Sequence, residues 1–216
     1  MGVGLDYITY MDFISNLVVE QNPSSILDVG CGDGRFLSFI YQKNEDLKRT
    51  YVGIDLCEKA ILFARLLNQH ENFFCNDVAD IKNVFEAVAL IEVMEHIPDE
   101  SVSLFLTMIK NKLSPSGKLW ISVPSVNIPV NEKHYRHYST ELLQKTLNDS
   151  GFDIENIYYI YKISLISKII RKMVINRFYM LNSSILTKLI WKFHCRMTYM
   201  ANENNCSHII VKAQKI

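Results

Sequence analysis

The sequence contains no Cys-x-x-Cys pair, and its five cysteines (Cys31, Cys57, Cys75, Cys195 and Cys206) are odd in number and scattered. That excludes a disulfide framework and a thiolate zinc site, and it predicts reduced thiols in a cytoplasmic protein. No uninterrupted apolar run reaches the roughly 18 residues of a membrane span. Met1 to Tyr10 shows no basic stretch followed by an apolar core, so no secretory signal is expected. There is no internal repeat and no low-complexity tract. Net charge is absent too, with 23 Lys and Arg against 23 Asp and Glu, which argues against a dedicated nucleic-acid partner. What remains is 216 residues, 49% apolar and 21% charged, enough to bury one core without staples.

The charge is unevenly placed. Residues 156–202 hold eight basic side chains (Lys162, Lys168, Arg171, Lys172, Arg177, Lys188, Lys192, Arg196) and no acid, leaving 15 basic and 23 acidic residues elsewhere. Within this stretch Ile163, Leu165, Ile166, Ile169, Ile170, Met173 and Val174 fall on one helical face, with the nearby Lys and Arg off it. Ile185, Leu186, Leu189, Ile190, Phe193 and Met197 repeat the pattern. The reading is a basic amphipathic helical insertion over 162–202. Three roles stay open for it: packing on the sheet or on a second subunit of a homodimer, a lid over a phosphorylated, nucleotide-linked or lipid-linked substrate, or peripheral contact with an anionic membrane.

Elsewhere the spacing predicts a helix over 7–19, stopped by Asn22-Pro23. A strand follows at 25–29, a helix at 35–41, a strand at 51–55, and a helix at 58–67 with Ile61, Leu62, Ala64 and Leu66 as its apolar face. Strands are expected at 72–78 and 87–91, a helix at 99–113, a turn at 114–117 and a strand at 118–123. Ser139 reads as the cap of a helix that stops at Gly151. Further strands are read at 152–161 and 208–213. Strands alternating with helices of about ten residues imply an α/β, doubly wound sheet.

In such a sheet, ligands bind at the carboxyl ends of the strands, where the strand order reverses. The first strand ends in Asp28-Val29-Gly30-Cys31-Gly32-Asp33-Gly34. Three alternating glycines let the backbone approach a ligand closely, and the next helix points free N–H groups at the same place. The second strand ends in Asp55, placed to accept both hydroxyls of a ribose. The spacing G-x-G-x-G differs from the nicotinamide fingerprint G-x-G-x-x-G. Ile26 to Gly34 resembles the first motif of the class I S-adenosylmethionine-dependent methyltransferases. Gly53-Ile54-Asp55 resembles their second and Asn76-Asp77-Val78 their third, over about 24–152 of the chain. The resemblance implies a seven-stranded Rossmann-like sheet with an antiparallel final strand, and S-adenosylmethionine as cofactor. It further implies cofactor contacts at Asp28, Gly30, Gly32, Gly34, Asp55, Leu56, Asp77, Val78 and Glu92. The alternatives are a strand-end cap for Asp55, a solvated turn for Asp77 and core packing for Leu56. One domain, 1–216, then comprises an N-terminal helical cap (1–23), a cofactor-binding core (24–161), the insertion (162–202) and a final strand (203–216).

The fourth strand runs into Glu92-Val93-Met94-Glu95-His96, and a second polar cluster, His134-Tyr135-Arg136-His137-Tyr138, follows the fifth. Both hang from strand ends, where loops carry chemistry. Methyl transfer to a hydroxyl needs a proton removed, either by a neutral His or with a divalent metal such as Mg2+ lowering the hydroxyl's pKa. Glu92, Glu95, His96 and His134 supply two carboxylates and two imidazoles for catalysis or metal binding, and His96 alone is the alternative base. The Glu-x-x-Glu-His run is similar to that of small-RNA 2′-O-methyltransferases and of quinone-biosynthesis O-methyltransferases. Those RNA enzymes follow their later His with Phe-Glu-Trp-Thr. Here Arg136-His137-Tyr138-Ser139 stands instead, which points away from RNA. Arg136, His137 and Tyr138 are the acceptor-side candidates; Arg136 either binds an anionic group or pairs with a local carboxylate. The expected function is O-methylation of a small hydroxylated metabolite such as a sugar or glycan precursor. RNA 2′-O-methylation and a non-catalytic cofactor-binding partner subunit are the alternatives.

Overall fold

The computed structural model describes residues 5–43, 50–68, 72–160 and 199–216, together with 189, 192 and 196. In chain order these form α1 (Leu5–Glu20), β1 (Ser25–Val29), α2 (Arg35–Lys43), β2 (Thr50–Asp55), α3 (Glu58–Leu67), β3 (Phe73–Cys75), β4 (Phe85–Ile91), α4 (Val102–Lys110), β5 (Leu113–Pro124), α5 (Thr140–Asp149), β6 (Phe152–Ile160) and β7 (His208–Lys215). The strands lie in the order β3-β2-β1-β4-β5-β7-β6. β7 runs antiparallel to both of its neighbours, while the pairs from β3 to β5 are parallel.

Strand residues alternate between two buried layers. Ile26 packs with Ala87, Ala89, Ile91 and Trp120 on one side of the sheet. Leu27 and Val29 pack with Val88, Leu90, Leu119 and Ile121 on the other. A strand that is apolar on both faces needs cover on both. α1 and α2 supply it on the first side through Ile14, Val18, Leu37 and Ile40. On the second side α4 and α5 do so through Leu106, Ile109, Leu143 and Leu147.

Several expectations shift. The third strand covers only Phe73–Cys75, because Asp77 instead caps a 3-10 turn at Val78–Asp80. The helix expected at 99–113 begins as a 3-10 turn, Asp99–Ser101, and its α-helical part ends at Lys110. Residues 114–117 fall within the bounds of β5 but fold back as a bulge: a Cβ on Gly117 would lie 3.0 Å from Ser114 N, and the register jumps there from Phe85↔Leu113 to Ala87↔Lys118. On α3, Ile61 and Ala64 are buried, but Leu62 and Leu66 are exposed. Ser139 does cap α5, accepting the Leu142 N–H at 3.1 Å. The amphipathic insertion lies outside the described residues, apart from 189, 192, 196 and 199–202. Among the described residues Cys31, Cys57, Cys75 and Cys206 are free thiols, and no helix is long and apolar enough to cross a membrane.

The glycine turn leans on the sheet edge. Gly34 has φ +75°, and a Cβ there would lie 2.7 Å from two ring carbons of Phe73. Gly34→Ala should therefore destabilise the fold by about 2–4 kcal/mol, from backbone strain and overpacking together. Urea denaturation measures it, and a change below about 0.5 kcal/mol would contradict the close packing.

Candidate active site

β1 and β4 are neighbours in the sheet, and the strand order reverses between them, so their carboxyl ends open a cleft. The Gly30 and Cys31 N–H groups both donate to Ile54 O, at 2.8 and 2.9 Å. Gly30 has φ +74°, and a Cβ on it would sit 2.7 Å from a Val93 methyl. Only glycine lets the turn pass against the segment after β4. Asp55 holds the turn from the other side. Its Oδ2 accepts the Gly32 N–H at 3.0 Å, and its Oδ1 accepts the Cys57 N–H at 2.8 Å. One carboxylate thus joins the glycine turn to the start of α3.

The resulting cleft has a volume of about 490 Å³, within the range of cofactor sites. Gly30, Asp55, Leu56, Asp77, Val78, Glu92 and His96 all reach its wall. Leu56 is 74% exposed, which removes the core-packing alternative. Asp77 lines the cleft and also accepts the Ala79 N–H at 2.8 Å. Gly32 and Gly34 are not on the wall. Neither is Asp28, which lies beneath it, 1% exposed, with its Oδ2 lacking a partner. Burial, reinforced by the charge of Asp55, pushes the Asp28 carboxyl up to about 8. Gly32 is joined to the wall through its N–H bond to Asp55, and a Cβ on it would meet open space.

The expected group of Glu92, Glu95, His96 and His134 divides. Glu92 follows β4 with a left-handed φ of 57°. Its Oε1 accepts from Tyr10 OH (3.2 Å) and Ser122 Oγ (2.9 Å), and its Oε2 meets His208 Nε2 at 3.2 Å. Burial would raise this carboxyl, but the charge of His208 and the hydrogen bonds of His208, Ser122 and Tyr10 hold it below its ordinary value. Glu92 therefore faces the cleft as a held carboxylate and leaves the metal set. Glu95, His96 and His134 do converge, with candidate ligand atoms all within 4.8 Å of one another.

Glu95 is 1% exposed, and neither of its oxygens has a hydrogen-bond partner. Burial first, then the charge of Glu92, pushes its carboxyl up to about 8. His96 Nε2 lies 3.9 Å from Glu95 Oε1. The other nitrogen, His96 Nδ1, lies 3.0 Å from Lys133 O. A carbonyl only accepts, so Nδ1 carries a proton, and in the neutral ring Nε2 keeps the lone pair. The His134 ring stands edge-on to His96, with centroids 4.7 Å apart. Its nitrogens lie 3.0 Å from Asn131 Nδ2 and 2.9 Å from His137 Nε2. Burial, then repulsion from His96 and His137, holds the His134 ring below the usual histidine range.

The acceptor-side candidates fare differently. Arg136 pairs with Asp99 and donates to Ile97 O at 3.3 Å, so its local-carboxylate alternative is the one present. Tyr138 is 0% exposed within the core, and an internal side chain cannot contact an acceptor. His137 is 5% exposed and bonded to His134 and to Ile128 O, which makes it a neighbour of the site and not a wall of it. Sequence reasoning missed Tyr10, Ser122 and His208 behind Glu92, Asn131 beside His134, and Phe105 and Met108 on the cleft wall. Only Phe105 and Met108 left a trace, as apolar residues flanking the buried stripe of α4.

A doubly wound sheet with an antiparallel β7, a glycine turn after β1 and an acid closing β2 defines the class I methyltransferase architecture. The chain belongs to the methyltransferase-domain family, matched over residues 8–157, and is an S-adenosylmethionine-dependent enzyme. Among its relatives is the tRNA (guanine-N(7)-)-methyltransferase of Clostridium botulinum, 25% identical over 166 residues, covering 67% of this chain and 70% of that one. The ubiquinone biosynthesis O-methyltransferase of Neisseria meningitidis is 30% identical over 121 residues, 52% of this chain and 47% of the relative. The fold matches an S-adenosylmethionine-dependent methyltransferase of Archaeoglobus fulgidus (TM-score 0.62, 17% identity, 95% and 94% coverage). It also matches the magnesium protoporphyrin IX methyltransferase of Synechocystis PCC 6803, solved with S-adenosylmethionine bound (TM-score 0.60, 18% identity, 97% and 81% coverage).

Proposed function

We propose that the protein transfers the methyl group of S-adenosylmethionine to a hydroxyl of a small metabolite, with Glu95, His96 and His134 holding a divalent metal. The observation that carries this is a buried Glu95 carboxyl with no hydrogen-bond partner beside two imidazoles, of which that of His96 lines the cleft. A desolvated, unpaired carboxyl is unfavourable unless a cation or proton joins it. Two imidazoles and a carboxylate form a donor set suited to a divalent ion. When bound, such an ion lowers the pKa of an acceptor hydroxyl. Glu92, kept ionised by Tyr10, Ser122 and His208, lines the cleft, where it would face the cationic part of the cofactor.

The relatives differ in what they act on, one being named for a tRNA guanine and another for ubiquinone biosynthesis. The hydroxyl reading follows from the residues and not from either relative. The test supplies purified protein with methyl-labelled S-adenosylmethionine and small-molecule, lipid and RNA fractions of a cell extract. Label should enter the small-molecule fraction, vanish with EDTA and return with Mg2+ or Mn2+. His134→Ala should lower the rate by about 100-fold or more, since it removes a ligand of the ion that makes the hydroxyl proton easier to lose. EDTA-resistant transfer that His134→Ala leaves unchanged would overturn the metal site, and label in RNA would favour 2′-O-methylation instead.

A further inference from the structure

The environment of His134 decides which of its nitrogens carries the proton, and two independent contacts give the same answer. Asn131 Oδ1 accepts the Lys133 N–H at 2.8 Å. The amide nitrogen of Asn131 is therefore the atom 3.0 Å from His134 Nε2, and it can only donate. His134 Nε2 must then hold a lone pair. On the far side, His137 Nδ1 lies 3.0 Å from Ile128 O, so that nitrogen carries a proton. Neutral His137 thus presents a lone pair at Nε2, 2.9 Å from His134 Nδ1, which donates to it. A protonated His137 would require His134 to accept at both nitrogens, which no neutral or protonated imidazole can do. The opposite tautomer of His134 would set donor against donor at Asn131 and acceptor against acceptor at His137.

We infer that His137 is a positioning residue that locks His134 in the Nδ1–H tautomer and aims its Nε2 lone pair for use. It works through His134: it is nearly buried and absent from the cleft wall. Its hydrogen bond to Ile128 O fixes its own ring, so the orientation of His134 is inherited from the backbone of the loop after β5. Asn131, exposed at the other end, donates to that lone pair, so a ligand taking the lone pair would replace it. Such outer partners fix the tautomer and ring orientation of metal-binding histidines, and removing one typically lowers metal affinity or activity by about 10–100-fold.

This rests on His134 being a working group of the proposed site, and the test separates the two. Long-range nitrogen–proton NMR of the histidine rings reads the tautomer without metal or substrate. The parent and His137→Gln should show His134 as Nδ1–H, because the glutamine oxygen can accept from Nδ1. His137→Leu, close in size but without an acceptor, should lose that preference. Co2+ titrated into each protein should then bind roughly 10–100-fold more weakly to His137→Leu, with His137→Gln recovering most of the affinity. An Nε2–H tautomer in the parent overturns the inference, as does a tautomer that His137→Leu leaves unchanged. Co2+ affinity that His134→Ala does not alter overturns the metal site, while the tautomer result still decides the role of His137.

Discussion

Asp28→Asn should raise the melting temperature at pH 8 by roughly 10 °C or more and have a much smaller effect at pH 5. Asp28 is fully buried, its Oδ2 has no partner, and burial with the nearby Asp55 charge lifts its carboxyl to about 8. In the unfolded chain the same group titrates near 3.8. A pKa raised on folding contributes stability that is complete below the unfolded value and is lost as pH rises through the folded value. Between about pH 4 and pH 8 this group therefore removes about 1.4 kcal/mol of stability per pH unit. Asparagine carries no charge at any of these values, so that slope disappears. Glu95, raised in the same direction to about 8, leaves the variant with a residual decline. Denaturation at pH 5, 6, 7 and 8 measures both proteins, and parallel curves would show that Asp28 is not the source. An acid that destabilises the metal-free, cofactor-free fold beneath the glycine turn is the kind of arrangement found at working sites.

Asp55→Asn should weaken S-adenosylmethionine binding at least 100-fold. The carboxylate accepts two backbone N–H groups, one from the glycine turn and one from the start of α3. An asparagine has one oxygen, so in either orientation its NH2 opposes one of those donors. Hydrogen bonds to a charged group contribute about 1.5–3 kcal/mol each, and about 1.4 kcal/mol is tenfold in affinity. Losing one such bond and creating a repulsion loosen the turn before the cofactor arrives, so binding must also re-form it. The resemblance adds the ribose hydroxyls, which would lose an ionised acceptor as well. Calorimetric titration with S-adenosylmethionine decides it; affinity within threefold of the parent would mean that Asp55 only shapes the turn.

The cofactor side of the molecule was legible because its signals are short-range. Glycines at alternate positions, an acid at a strand end and Ser139 before an apolar helix each express a local preference that the fold uses directly. The catalytic side was only partly legible. Glu92 and Glu95 read as partners because both follow the fourth strand within one Glu-x-x-Glu-His run. The segment there is a strand end, a left-handed residue at Glu92 and one 3-10 turn at Met94–His96, which sends the two side chains apart. The two carboxyls accordingly enter different surroundings, one held by donors and one left bare.

By itself the sequence determined the class of fold, the cofactor turn and the supply of acids and imidazoles near the end of β4. Tertiary structure alone decided which of them act together. Tyr10 and Ser122 reach Glu92 from 82 and 30 residues away, and His134 meets His96 only because the loop after β5 folds back over the segment after β4. Local preferences act between residues a few positions apart. Protonation, tautomer and partner choice depend on whichever groups the fold brings within hydrogen-bond reach, and spacing along the chain carries no record of them.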